Sequence, residues 1–238
     1  MKEVMCLKRI LLSLCFVTAI CSITAISFSG INKILTSADI TPRKTVILDA
    51  GHGGFDGGAV AGDGTVEKDI NLAICKKIKS HLLFNGYEVI MTRDEDTGTE
   101  NIKGSIAKRK KNDMQNRLNM MKENGEAIFV SVHLNKFTTS AARGAQVFYT
   151  PNFKTAEYLG ESIQSSIISL LQPENTRVIK RGNSSTYLLK NATVPAVIVE
   201  CGFLSNSIDL ANLKTDKYQS QMAFAITEGI RNFLESEG

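Results

Sequence analysis

What the 238-residue sequence lacks narrows its class before any motif is read. It has no internal repeat and no low-complexity tract, which excludes a solenoid or a compositionally biased chain and leaves an ordinary folded domain. Five cysteines are present, but Cys6, Cys15 and Cys21 belong to the N-terminal 30 residues, so only Cys75 and Cys201 remain for the rest. That is too few for a disulfide framework, and two buried free thiols are expected, with one disulfide as the alternative. Neither GxxxxGKS/T nor GxGxxG occurs, so the glycines of Gly51–Gly58 are not a phosphate cradle of a known kind. There is no HExxH helix either, and any metal site must be assembled by tertiary structure. Net charge is also modest: a formal +4 permits attraction to an anionic wall but specifies no nucleic-acid partner.

What is present begins with a targeting signal. Lys2, Lys8 and Arg9 precede an uncharged apolar stretch from Ile10 to Phe28. As a helix it would reach about 28 Å, close to the roughly 30 Å of a bilayer core. Basic residues ahead of it hold the N-terminus inside and send the rest of the chain out. Residues 1–30 are therefore expected to form an uncleaved signal anchor, with cleavage near Ala25 and Ser27 as the alternative. Leu14 and Ile20, ahead of Cys15 and Cys21, are too bulky for a lipoprotein signal. Residues 31–44 read as a polar linker ending in Thr41, Pro42 and Arg43, and residues 45–238 as one folded domain, exported and held on the outer face of the membrane or in the wall space.

Within that domain, Thr45–Asp49, Tyr87–Thr92, Ala127–His133, Ala145–Tyr149, Thr186–Lys190 and Val194–Glu200 read as strands. Ile70, Ile74, Ile78 and Leu82 fall at four-residue spacing on an amphipathic helix over Glu67–Phe84 that ends at Asn85-Gly86. Further helices are expected around Asp113–Glu123, from about Phe153 to Leu171, and over Lys217–Phe233. Alternation of strands and helices predicts an α/β layered fold with a largely parallel or mixed central sheet, whose sites collect at the carboxyl ends of strands.

The chemically suspicious groups sit at such ends. His52 lies just past the first strand, His133 ends the Ala127 strand, and Glu67 opens the first helix. Two imidazoles and a carboxylate make a three-ligand set for one zinc ion, with the fourth position open to water. Each also has a bland reading, since a histidine ending a strand is often a hydrogen-bonded structural residue, and a carboxylate in a first helical turn is favoured by the helix dipole. Glu200 follows the apolar run VPAVIV, where a desolvated carboxylate with a raised pKa suits a general base. His81, among Lys76, Lys77 and Lys79, reads as a solvated surface residue. The basic run Lys108–Lys111 reads as a solvated helix face or loop in preference to a wall-binding patch.

Four segments together carry a resemblance. Asp49-Ala50-Gly51-His52-Gly53-Gly54-Phe55-Asp56-Gly57-Gly58-Ala59, then Glu67, then Ser131-Val132-His133-Leu134-Asn135, then Val199-Glu200-Cys201-Gly202-Phe203-Leu204-Ser205-Asn206 resemble, in order, the motifs of the zinc-dependent N-acetylmuramoyl-L-alanine amidases of the Amidase_3 family. The resemblance implies that His52, Glu67 and His133 bind zinc, that Glu200 is the catalytic carboxylate, and that a six-stranded mixed sheet is flanked by helices. It implies hydrolysis of the amide between N-acetylmuramic acid and L-alanine in peptidoglycan. Ile106–Arg117, Tyr187–Asn191, the N-terminal anchor and the absence of wall-binding repeats are similar to the spore-cortex, or CwlD, type. That implies cortex modification leading to muramic-δ-lactam, and a domain this minimal makes a regulatory protein partner at the wall or membrane an expectation. Two other readings stand beside it, a zinc-bearing but inactive wall-binding or regulatory module, and a wall metallopeptidase cutting another bond.

Overall fold

The first strand forms where an apolar run meets glycine: β1 (Val46–Ala50) is buried along its whole length and stops at Gly51. The structure, a computed structural model, describes residues 45–183 and 186–236. The expected signal anchor and linker, residues 1–44, lie outside the described residues. No helix among the described residues is long and apolar enough to cross a membrane.

From β1 the chain passes through α1 (Glu67–Phe84), β2 (Val89–Met91), α2 (Ile106–Glu123), β3 (Ile128–Asn135), β4 (Gln146–Tyr149) and α3 (Lys154–Leu170). It continues through β5 (Lys180–Arg181), α4 (Tyr187–Asn191), β6 (Ala196–Phe203), α5 (Ser207–Leu213) and α6 (Asp216–Ser236). The six strands form one sheet in the order β2-β1-β3-β6-β4-β5, parallel throughout except where β4 runs against β6. This is the mixed, mostly parallel sheet expected from the alternating pattern.

Side chains alternate across the sheet, so each strand feeds two cores. Val46, Leu48, Val130, Val132, Val197 and Val199 pack under α1, α3 and α6 on one face. Ile47, Phe129 and Ala196 pack with Leu118 and Met121 of α2 and with Leu188 and Leu189 of α4 on the other. The result is three layers. Because β1, β3 and β6 are mutually parallel neighbours, their carboxyl ends share one edge of the sheet.

Three departures from the sequence pattern have physical causes. Thr186–Lys190, expected as a strand, contributes instead to the short helix α4, whose Leu188 and Leu189 are buried in the second core. A short apolar run does not distinguish strand from helix by period alone. Helix α2 begins at Ile106, ahead of the expected Asp113, because the Ser105 hydroxyl caps it by accepting from Lys108 N at 3.4 Å. The elements β5 and α5 were too short to leave a periodic signal. Cys75 and Cys201 are buried and free, as expected.

Candidate active site

The loop after β1 turns sharply enough to place His52 at φ 63°, the one positive-φ residue other than glycine among those described. Such a conformation costs a bulky residue on the order of 1–3 kcal/mol and persists only where neighbours enforce it. Here Asp56 Oδ2 sits 2.9 Å from His52 Nδ1. Asp56 in turn meets Lys110 Nζ from α2 at 2.9 Å and accepts from Gly58 N at 3.3 Å. With Nδ1 committed to a carboxylate, the other ring nitrogen is left free to point inward.

It points at Glu67. His52 Nε2 lies 3.3 Å from Glu67 Oε1, and His133 Nδ1 approaches the same oxygen at 3.0 Å. Glu67 is fixed at the start of α1 by two backbone donors, Ala59 N to Oε2 at 2.8 Å and Leu134 N to Oε1 at 3.0 Å. Its side chain is only 4% exposed, whereas the imidazoles of His52 and His133 keep 22% and 18%, so the cluster opens to solvent on the histidine side. The two rings meet edge to face with centroids 4.9 Å apart. One donor atom from each of the three residues falls within 4.8 Å of the others, a cluster able to hold a metal ion.

The surroundings fit such an ion. A Cβ at Gly51 would stand 2.3 Å from His133 Cε1 and Nε2, and one at Gly58 would stand 2.6 Å from Glu67 Oε2 and His52 Cδ2. Glycine at both places lets the backbone close around the three side chains without filling the space between them. Two imidazoles and one carboxylate are a donor set of the kind that can bind a divalent metal ion with one position left open.

Glu200, on β6, is the register partner of His133 on β3, so both leave the sheet on the same face. Although the residue as a whole is half-buried, its Oε2 is enclosed and makes no hydrogen bond. Burial raises its pKa to about 7, opposed by the nearby histidines. Burial would lower the pKa of His52, but Glu67 and Asp56 outweigh it and raise it to about 8. For Glu67, burial acts upward, and His133 and His52 overcome it to hold the carboxylate ionised. His52 thus holds its proton beside an ionised Glu67, while Glu200 stands near the point of exchanging one at neutrality.

All four residues singled out in the sequence therefore converge at one edge of the sheet. His81 does not join them; it packs on α1 against Phe224, with ring centroids 6.0 Å apart. The basic run is only partly a solvated face. Arg109 stacks 3.8 Å over the Phe55 ring and pairs with Glu100 at 2.5 Å, while Lys110 pairs with Asp56. Sequence reasoning quoted Asp56 without a role, although a carboxylate four residues after a candidate ligand in a glycine loop was a usable signal. It assigned no role to Arg117, which is buried beneath the site and bonded to Asp49 and Asp113. A cavity of about 280 Å³ lined by Arg143, Gln172, Arg177, Asp209 and Tyr218 contains none of the four residues.

A family model described as N-acetylmuramoyl-L-alanine amidase, Amidase_3, matches residues 46–232. The chain belongs to the Amidase_3 family. It is a peptidoglycan amidase, a hydrolase of the bacterial cell wall. The amidase is 36% identical over 197 residues to the germination-specific N-acetylmuramoyl-L-alanine amidase of Bacillus subtilis, covering 82% of this chain and 81% of that protein. Among solved structures it is similar to the CwlD amidase of Clostridioides difficile in complex with the GerS lipoprotein. The TM-score there is 0.78 at 37% identity, with 81% of this amidase and 99% of that chain covered. The AmiC2 amidase of Nostoc punctiforme aligns with a TM-score of 0.68 at 28% identity, covering 81% and 98%.

Proposed function

We propose that this amidase cuts the bond between the lactyl carbonyl of N-acetylmuramic acid and the amino group of L-alanine, using one zinc ion held by His52, Glu67 and His133 and a proton relay at Glu200. The observation that carries this reading is the meeting of three donor atoms within 4.8 Å beside an enclosed carboxylate oxygen that has no partner. Bound there, zinc would supply a Lewis acid for the carbonyl and lower the pKa of water towards about 7.

The chain's own groups do the rest. Asp56 keeps His52 in one tautomer and orientation, the backbone donors of Ala59 and Leu134 hold Glu67 in place, and His133 and His52 keep it ionised. Glu200 takes a proton from the attacking water and delivers it to the alanine nitrogen, which leaves poorly unless protonated. The water oxygen ends in the lactyl carboxylate and the peptide departs as an amine. Exposure on the histidine side leaves the cluster approachable by a polymeric substrate.

The reading extends to the spore cortex. The germination-specific relative and the likeness of Ile106–Arg117 to the cortex type support a role in stripping peptide from muramic acid, so that a separate deacetylase can help form muramic-δ-lactam. The CwlD neighbour is bound to a lipoprotein, which supports a wall- or membrane-side protein partner for this amidase too. The basic-then-apolar N-terminus supports export and tethering on the outer face of the membrane.

Mass analysis of purified peptidoglycan after digestion, with and without added zinc, tests the reaction. New L-alanine amino termini that require zinc are expected. Fragments cut at another bond would make the protein a metallopeptidase, and binding to sacculi without any cleavage would make it a wall-binding module.

A further inference from the structure

Three consecutive carbonyls leave the end of β1 with no strand to receive them, those of Ala50, Gly51 and His52, and two buried arginines meet them. Arg93 donates from Nε to Ala50 O at 2.8 Å and from Nη2 to Gly51 O at 3.1 Å. The same Nη2 reaches Lys68 O at 2.8 Å, in the first turn of α1 directly after Glu67. Its Nη1 donates to Glu95 O at 3.0 Å. Among the described residues no carboxylate lies within ion-pair distance of Arg93, although it is only 4% exposed. From the opposite side, Arg117 donates from Nη2 to His52 O at 2.7 Å and from Nη1 to Ala50 O at 3.2 Å.

A buried cation without a carboxylate is costly, and one spent wholly on main-chain oxygens needs a reason. The carbonyls it holds belong to the turn in which His52 adopts its left-handed conformation, and to the helix start that carries Glu67. A planar fork can hold two or three oxygens at fixed angles, whereas a lysine ammonium is a single point.

We propose that Arg93 and Arg117 are positioning residues for the metal site, clamping the 50–52 turn and tying it to the first turn of α1 so that His52 and Glu67 converge before any ion arrives. This rests on the zinc reading above.

The full-length chain and its Arg93→Lys and Arg117→Lys variants provide the test. Zinc affinity is measured by competition with a chromogenic chelator, the absorption of the cobalt-loaded protein reports ligand geometry, and the melting temperature of the metal-free protein reports the fold. The variants are expected to melt as folded proteins, to bind zinc about 10- to 100-fold more weakly and to show an altered cobalt spectrum. Folded variants that bind zinc within about two-fold of the parent, with its cobalt spectrum, overturn the clamp while leaving the zinc reading standing. Since Arg93 carries no ion pair, its variant decides the matter if Arg117→Lys does not fold. Loss of the fold in both overturns the proposal by assigning the arginines to stability alone. A parent that takes up no zinc overturns the metal reading and the clamp with it.

Discussion

Glu200 and His133 are register partners across the parallel pair β3–β6, one strand spacing apart and projecting from the same face. That relationship puts the carboxylate beside the three-donor cluster without making it part of the cluster, as the proposed division between proton transfer and metal binding requires. Glu200→Gln is expected to retain zinc and lose about 10²- to 10⁴-fold in turnover, the usual contribution of a general acid-base group. His133→Ala is expected to lose both metal and activity. Zinc by atomic absorption, paired with peptide release from sacculi, checks the two variants; parental turnover in Glu200→Gln would remove the proton relay.

The same carboxylate predicts how the metal-free protein responds to pH. Its folded pKa, about 7, stands above the ordinary 4.5, chiefly through burial. A raised carboxylate contributes stability that is complete below the unfolded value and is lost as pH rises through the folded one. In chelator, Glu200→Gln is therefore expected to match the parent near pH 4 and to become more stable than it by pH 8, by on the order of 3 kcal/mol at most. Urea melts at the two pH values measure this. A gap between the proteins that does not change with pH would show that the enclosed oxygen carries no such cost.

Much of this architecture is legible in the sequence wherever burial leaves a period. VILDA and VPAVIVE are apolar because both faces of their strands are covered, and Ile70, Ile74, Ile78 and Leu82 mark the single face that α1 buries. Thr186–Lys190 reads as a strand although Tyr187–Asn191 is helical, because five residues are too few for a period and the buried side chains of Leu188 and Leu189 fit either element. The start of α2 was hidden by Lys108–Lys111, whose helical character comes from a serine cap and not from an apolar stripe. At the site, His52, Glu67 and His133 stand out by their places at strand ends and a helix start and by their motifs, but their approach to one another is set by the sheet and not by spacing. The arginines below them left no trace. A buried Arg93 or Arg117 looks like any surface cation until its partners are placed.

Asp49 and Arg117 form a buried ion pair under the site, with Thr92 Oγ1 donating to Asp49 Oδ1 at 2.8 Å and Ser131 Oγ donating to Oδ2 at 2.6 Å. Burial pushes the Asp49 pKa up, but Arg117 foremost, then His133 and the two hydroxyls, bring it below the ordinary value. Removing one member of such a pair costs about 3–5 kcal/mol. Asp49→Asn is expected to lose stability of that size at pH 7. A depressed carboxylate contributes stability that is present above the unfolded pKa of about 3.9 and lost as pH falls through its lower folded value. The difference between parent and variant should therefore shrink below about pH 4. Denaturant midpoints at pH 7 and pH 3 test the sign, and a difference that persists undiminished at pH 3 would mean that Asp49 is not held as an anion.

Gly51 offers a way to disturb the three-donor cluster without replacing any of its side chains. Its amide donates to Val132 O at 3.1 Å, which pins the end of β1 against β3, and the position where a Cβ would attach lies 2.3 Å from His133 Cε1 and Nε2. Neither partner yields easily: the main chain is tied to the sheet, and the imidazole is confined by Glu67 Oε1 on its other side. In Gly51→Ala the ring must rotate away, because no Cβ survives at that separation, and an overpacked interior typically costs about 1–3 kcal/mol. The variant is expected to fold with a modestly lowered melting temperature and to retain little zinc after dialysis, with activity lost in proportion to the metal. Substitution at Gly125, where no atom lies within 4 Å of an added Cβ, supplies the control and should leave zinc content unchanged. If Gly51→Ala holds zinc as tightly as the parent, His133 is not confined by the backbone of this turn, and its place in the ligand set has to be supported by something other than the closeness of residue 51.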